Sequence, residues 1–137
     1  MTNSQYALFI NDGGYSRQEF WSKDGWRWVQ EEGLTAPAYW PDPKFNAPNQ
    51  PVVGVSWWEA DAFCRWVGGR LPTADESEAA SRGPEGLEYP WGDKWEGGIC
   101  NSREAGLRNS SAVGIFPRSR SVPFELEDMA GNVWEWV

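Results

Sequence analysis

Histidine is absent from the 137 residues of this sequence. Its absence removes the side chain most used as a neutral-pH acid or base and as a ligand for zinc or non-haem iron. Ser-His-Asp and Cys-His catalysis are excluded within the chain on the same ground. Cysteine is scarce: there are two, Cys64 and Cys100, too few for a disulfide scaffold. They are expected to be reduced, buried thiols. Basic residues are the minority, 12 against 20 acidic, for a formal net charge of −8. That balance excludes the basic footprint that nucleic-acid binding needs and disfavours an anionic membrane surface. No run of about 18 apolar residues is present, so no transmembrane helix is expected. The opening MTNSQYALFINDGG lacks the basic start and apolar core of a signal peptide. A cytoplasmic protein follows as the expectation, with neither nucleic acid nor membrane as partner.

The chain is rich in three residue types: 11 Trp, 15 Gly and 10 Pro. Gly and Pro at this level predict much irregular backbone, short of low complexity. Trp buries a large area per residue, so the tryptophans are candidates for core and loop anchors. The length fits one domain, and no internal repeat or linker is visible.

Three segments carry the capping-box pattern, in which a Ser or Thr precedes a Glu or Gln by three residues. They are Thr2 with Gln5, Ser56 with Glu59, and Thr73 with Glu76. Each opens a predicted helix, closed by Gly13-Gly14, Gly68-Gly69 and Gly83-Pro84 in turn. Spacing places Tyr6, Phe9 and Ile10 on the buried face of the first helix. Ala60, Phe63, Cys64 and Val67 share a face of the second, with Trp66 at its side. In the third, Ala79 and Ala80 are the expected contacts. A further helix is expected near Lys23 to Glu32, closed by Gly33. The proline-rich stretch from Pro37 to Pro51 forbids helix and sheet interior and reads as an ordered loop anchored by Tyr39, Trp40 and Phe45. Short strands are expected at Pro51 to Val55, Ala112 to Phe116 and Val133 to Val137.

Four stretches in fixed order are PVVGVSWWEADAFCRWVGGRLPT, the turn from Glu76 to Gly83, YPWGD (Tyr89 to Asp93) and LEDMAGNVWEW (Leu126 to Trp136). Together they resemble the formylglycine-generating enzyme, or sulfatase-modifying factor, family. TNSQYALFINDGGY and the FWS and GW segments are similar to the family's early part. The resemblance covers essentially the whole chain and implies an α+β, C-type-lectin-like fold, loop-rich, with few short strands and two to four helices. It also implies that residues 1–137 form a single but incomplete domain. Family members carry a strand upstream of the first helix and a second half beyond the WEW segment, where the reactive cysteine pair and substrate groove mainly lie. Within the motifs, Ser77 stands where the family prefers Trp, Ser81 where Ala is usual, and Glu125 where a turn Gly is common.

What the resemblance implies for function is twofold. The full-length family oxidises a sulfatase cysteine to formylglycine with copper and oxygen, taking a sulfatase-type peptide as partner. This chain lacks the segment that does so and is expected to be inactive alone, with no catalytic residue assigned. The alternative is a non-catalytic ligand- or protein-binding module, of the kind attached to kinases or proteases or found as retroelement variable proteins. A truncated reading frame without independent function is a third reading. A related branch, the sulfoxide synthases, uses His-ligated iron from a further domain, which the absence of His disfavours.

The best local site is a calcium loop. Calcium takes six to eight oxygens from carboxylates and carbonyls, and Asp128 and Glu135 supply carboxylates around the Gly131 turn. The resemblance implies a structural calcium held by Asp128 and Glu135 with the carbonyls of Gly131 and Val133. It implies a second at Asn101 and the Ser102 carbonyl, with Glu104 as a candidate acidic partner. A thiolate pair could bind Cu(I), but Cys64 lies on an apolar helix face and neither cysteine matches the family's catalytic segments. The remaining carboxylates read as solvated surface, and the tryptophans as packing rather than a sugar platform.

Overall fold

The computed structural model describes residues 1–122 and 124–137. Four helices form: α1 (Asn3–Asn11), α2 (Lys23–Glu32), α3 (Trp57–Trp66) and α4 (Ala74–Arg82). Three single 3-10 turns occur at Gln18–Phe20, Arg103–Ala105 and Pro117–Ser119. Among the described residues there are only two isolated bridges, Thr2 with Pro51 and Tyr89 with Gly92, and no extended strand. The three expected strands therefore do not form. Gly54 and Gly114 adopt positive φ (75° and 77°) inside two of them, which breaks an extended run, and only Pro51 of the first meets a partner. Residues 133–137 form no ladder with any described residue. No helix is long and apolar enough to cross a membrane among the described residues.

All three capping boxes form with both reciprocal bonds. At α3, Ser56 N–H donates to Glu59 Oε2 at 2.7 Å, and Glu59 N–H donates to Ser56 Oγ at 3.2 Å. α2 is capped by Ser22 at its start and by Gly33 at its end, the latter in the left-handed region, where a residue without Cβ carries no steric cost.

The chain divides into two compact units, Met1–Leu71 with Trp136, and Pro72–Glu135 with Val137. The first holds α1, α2 and α3 around an aromatic core. Tyr6, Phe9 and Val29 are fully buried, with Tyr15, Trp21, Val52 and Ala62 beside them. Tyr6 stacks on Phe63 at 5.4 Å and meets Trp40 at 6.0 Å. Gly14 is needed here: a Cβ would lie 2.5 Å from the Phe9 ring. The proline-rich loop is ordered as expected, its carbonyls at Phe45, Ala47 and Pro48 taking hydrogen bonds from Asn3 and Ser4. Trp136 donates its indole N–H to the Val55 carbonyl at 2.9 Å.

The α3 face differs from the spacing-based reading. Ala60 is buried and Phe63 and Cys64 are half-buried, but Val67 is exposed. The polar residues Glu59 and Asp61 are buried instead. Glu59 is accommodated because Tyr15 O–H donates to its Oε1 at 2.5 Å, while Tyr15 and Tyr6 share a hydrogen bond at 3.1 Å. Asp61 pairs with Arg65 Nε at 2.9 Å.

The second unit has one helix, α4, which buries no residue completely. Ala79 is exposed and Ala80 half-buried, so the expected apolar contact is weaker than the spacing implied. Arg82 donates to the carbonyls of Leu87 (2.6 Å) and Gly86 (3.0 Å) and pairs with Glu78 (2.6 Å), fixing the turn that follows. Buried here are Ile99 and Cys100 together with polar Asn101, Ser111, Ser119 and Ser121. Ser121 alone carries three bonds across one loop, with its N–H on the Leu126 carbonyl, its carbonyl on Glu125 N–H and its Oγ on Leu126 N–H.

Candidate functional site

The loop from Asp128 to Glu135 has an unusual backbone. Asp128, Gly131 and Asn132 all adopt left-handed φ, at 58°, 83° and 60°. Left-handed residues turn successive peptide groups and aim carbonyls to one side. Gly131 cannot be replaced without movement, since a Cβ would stand 2.7 Å from the Asn101 carbonyl oxygen and 3.2 Å from Cys100 Sγ. That close approach lets Asn132 N–H donate to the Asn101 carbonyl at 2.9 Å.

The side chains of Asn101 and Asn132 lock the two segments together. Asn101 Nδ2 donates to the Asn109 carbonyl, to Ser111 Oγ and to Asn132 Oδ1 at 2.9, 3.1 and 3.2 Å. Asn132 Oδ1 also accepts from Ser111 N–H at 2.9 Å, and Asn132 Nδ2 donates to the Ser111 carbonyl at 3.2 Å. All the Asn101 side-chain bonds leave from Nδ2, so its side-chain Oδ1 stays outside the network. Asp128 Oδ2 accepts from Gly114 N–H at 3.0 Å, which fixes the carboxylate and leaves its other oxygen outside that bond.

These residues wall a cavity of roughly 770 Å³ within the second unit. Asp128, Gly131, Val133, Glu135, Asn101 and Ser102 all line it. The two calcium sites expected separately from the sequence thus share one cavity. Glu104 is not on its wall. It is exposed and accepts from Ser102 Oγ at 2.8 Å, a bond that holds its carboxyl below the usual range. The remaining wall is Ser77 from α4, Arg103, Met129, Ala130, Asn132 and Trp134. Glu135 is exposed as a residue, yet lost hydration at its carboxyl raises its pKa, and the negative charge of Asp128 adds to the rise. Two like charges facing one space are relieved by a cation. Among the described residues no three Cys, Asp or Glu side chains converge as a metal cluster, so a cation here depends on carbonyl and amide oxygens beside the two carboxylates, a donor set suited to a hard ion.

Asn132, Ser111 and Arg103 were not singled out in the sequence. Asn132 carried a signal, since Asn tolerates the left-handed region after a turn Gly. Ser111 and Arg103 carried none, because their roles depend on which loops meet.

Both cysteines are free. Cys100 is buried behind Gly131, as expected, whereas Cys64 is only half-buried. Burial raises both thiols, with Asp61 adding to the effect at Cys64 and a Ser102 hydrogen bond opposing it at Cys100. A raised thiol is a weaker nucleophile and a poorer metal ligand.

Residues 1–137 match the family model described as Sulfatase-modifying factor enzyme 1-like domain. The whole chain is 36% identical to a protein named hercynine oxygenase from Mycolicibacterium thermoresistibile, of which it covers 33%. It is 32% identical to a formylglycine-generating enzyme from Thermomonospora curvata, with 99% of the chain matching 56% of that protein. It is also 32% identical over its whole length to a mouse protein named inactive C-alpha-formylglycine-generating enzyme 2, covering 55% of it. The chain thus spans between a third and a little over half of these curated relatives.

Proposed function

The chain belongs to the sulfatase-modifying factor enzyme 1-like family, and from that premise we propose that residues 72–135 build its calcium-stabilised loop platform. The observation that carries this reading is the convergence of Asp128, Gly131, Val133, Glu135, Asn101 and Ser102 on one cavity. Asp128 and Glu135 would supply carboxylates, and Gly131, Val133 and Ser102 carbonyls, with Asn101 Oδ1 as a further neutral oxygen. Bound calcium would neutralise the acidic pair and hold a loop whose backbone is left-handed at three positions. The second unit has little apolar core to do that work.

The family includes proteins named as oxygenase, as formylglycine-generating enzyme and as inactive. For the whole protein we favour an oxidoreductase of the formylglycine-generating type, acting on a sulfatase-type cysteine peptide, with the reactive thiols outside residues 1–137. Copper does not fit the residues described. The soft donors are Cys64 and Cys100, both with raised pKa, and no histidine accompanies them. The second reading, a non-catalytic binding module, is favoured by the size of the cavity, which exceeds what an ion fills.

Calcium should raise the melting temperature. At a concentration a hundredfold above Kd the gain corresponds to about 2.7 kcal/mol. The rise should vanish in Asp128→Ala and Glu135→Ala, and an unchanged melting temperature with calcium would refute the site. Incubated with Cu(I) and a Cys-X-Pro-X-Arg peptide, residues 1–137 should form no aldehyde; aldehyde formation would return catalysis to Cys64 or Cys100.

A further inference from the structure

An asparagine amide has a donor end and an acceptor end, and its surroundings decide which way round it sits. At Asn101 that choice sets what the side chain can offer a ligand: Oδ1 suits a cation, whereas Nδ2 would bring N–H groups that suit an anion. Asn101 is buried, and its Nδ2 meets three acceptors, the Asn109 carbonyl, Ser111 Oγ and Asn132 Oδ1, at 2.9, 3.1 and 3.2 Å. Reversed, the amide would set Oδ1 against the Asn109 carbonyl oxygen and Asn132 Oδ1, and only the Ser111 hydroxyl could turn to meet it. The direction of the Asn132 amide is settled in turn by a backbone that cannot reverse. Ser111 N–H donates to Asn132 Oδ1 at 2.9 Å, and Asn132 Nδ2 donates to the Ser111 carbonyl at 3.2 Å. Asn132 also grips the Asn101 main chain, donating its N–H to that carbonyl at 2.9 Å. Asn132 holds a left-handed φ of 60°, which a glycine would adopt without strain, so a glycine here would lose the side chain and keep the turn.

We propose that Asn132 is a positioning residue for the cation site: anchored on the Ser111 backbone, it holds the Asn101 amide with Nδ2 spent on the protein and Oδ1 left for the ion. The proposal rests on the calcium reading. Asn132 acts through Asn101 and not as a ligand, since both ends of its own amide are engaged by Ser111. Groups that orient a metal ligand in this way typically cost 10–100-fold in metal affinity when removed. The hydrogen bonds concerned join residues 101, 109, 111 and 132.

The test titrates calcium chloride into the chain by calorimetry, for the unchanged sequence, Asn132→Gly, Asn101→Ala and the double variant. Asn132→Gly should weaken calcium binding about tenfold. Added to Asn101→Ala it should weaken binding by less than about twofold further, because the residue through which it acts is gone. If the two losses multiply, Asn132 acts through the neighbouring Gly131 and Val133 carbonyls and the proposal is overturned. A role in folding alone would lower the melting temperature without calcium and leave the calcium Kd of Asn132→Gly unchanged, which also overturns it. A further measurement needs no variant: calcium should shift the Asn101 Nδ2 amide resonance in the unchanged chain, and calcium binding without that shift overturns the proposal alone. No calcium binding by the unchanged chain overturns the calcium reading and this proposal with it.

Discussion

Residues 1–71 bury Tyr6, Phe9 and Val29 completely, while residues 72–135 bury Ser119, Ser121 and Asn101. Both regions leave large apolar side chains exposed, among them Leu8, Tyr39 and Val67 in the first and Val113, Ile115, Phe124, Leu126 and Trp134 in the second. Backbone strain follows the same division. In the first region every positive φ belongs to a glycine, whereas Arg108, Glu125, Asp128 and Asn132 carry it in the second, each at a cost of order 1–3 kcal/mol. The first region is held by apolar burial, which is non-directional and large. The second is held by hydrogen bonds, each worth about 1 kcal/mol net, and so has most to gain from a bound ion.

Phe9→Ala should therefore be the most damaging of the changes considered, removing about 3–5 kcal/mol by opening a cavity in the aromatic core. Urea unfolding measures it, and a similar loss from Ser121→Ala would break the contrast. Next comes alkali. Tyr6 and Tyr15 are raised well above the ordinary tyrosine value, chiefly by burial, so both stay protonated in the fold. Their contribution is complete below a pH of about 10, where unfolded tyrosine titrates. Above it the unfolded chain releases two protons that the folded chain keeps, and stability should fall by about 2.7 kcal/mol per pH unit. Tyr15→Phe should reduce that slope by half.

In the second region Gly131→Ala should remove about 1–3 kcal/mol, because of its φ of 83° and the Asn101 carbonyl 2.7 Å from the new methyl. It should also diminish the calcium-dependent rise, which an effect confined to packing would leave intact. Smallest of all, Ile115→Ser should change stability by no more than about 0.5 kcal/mol. A larger loss in the isolated chain would show that this exposed side chain is covered in solution.

The same division decides how much was legible in the sequence. Helices α1, α3 and α4 announced themselves through capping boxes because both partners lie within four residues of chain. The loop that brings Asp128, Gly131 and Glu135 to one cavity was legible because these residues are local in the chain. Glu104, expected beside Asn101, accepts from Ser102 Oγ but is not on the cavity wall that Ser102 lines, which chain proximity to Asn101 could not show. Strands were expected at Pro51 to Val55, Ala112 to Phe116 and Val133 to Val137, but Gly54 and Gly114 take positive φ, and among the described residues only Pro51 of these segments meets a partner. Burial of Glu59 was invisible, since it depends on Tyr15 reaching it from 44 residues away. Val67 had the right spacing for the core but falls at the C-cap of α3, where the helical period no longer sets direction.

Glu59 belongs to two scales of structure at once. One carboxylate oxygen closes the first turn of α3 on Ser56 N–H, and the other receives Tyr15 from 44 residues away. A helix start is ordinarily the first part of a helix to fray, and its amides exchange with solvent through small local openings. Here the Ser56 amide cannot be released by fraying alone, because the carboxylate that covers it is also pinned by the tyrosine pair in the core. Its deuterium uptake should be as slow as that of the most protected amides in the first region, so the beginning of α3 opens only when that whole cooperative unit does.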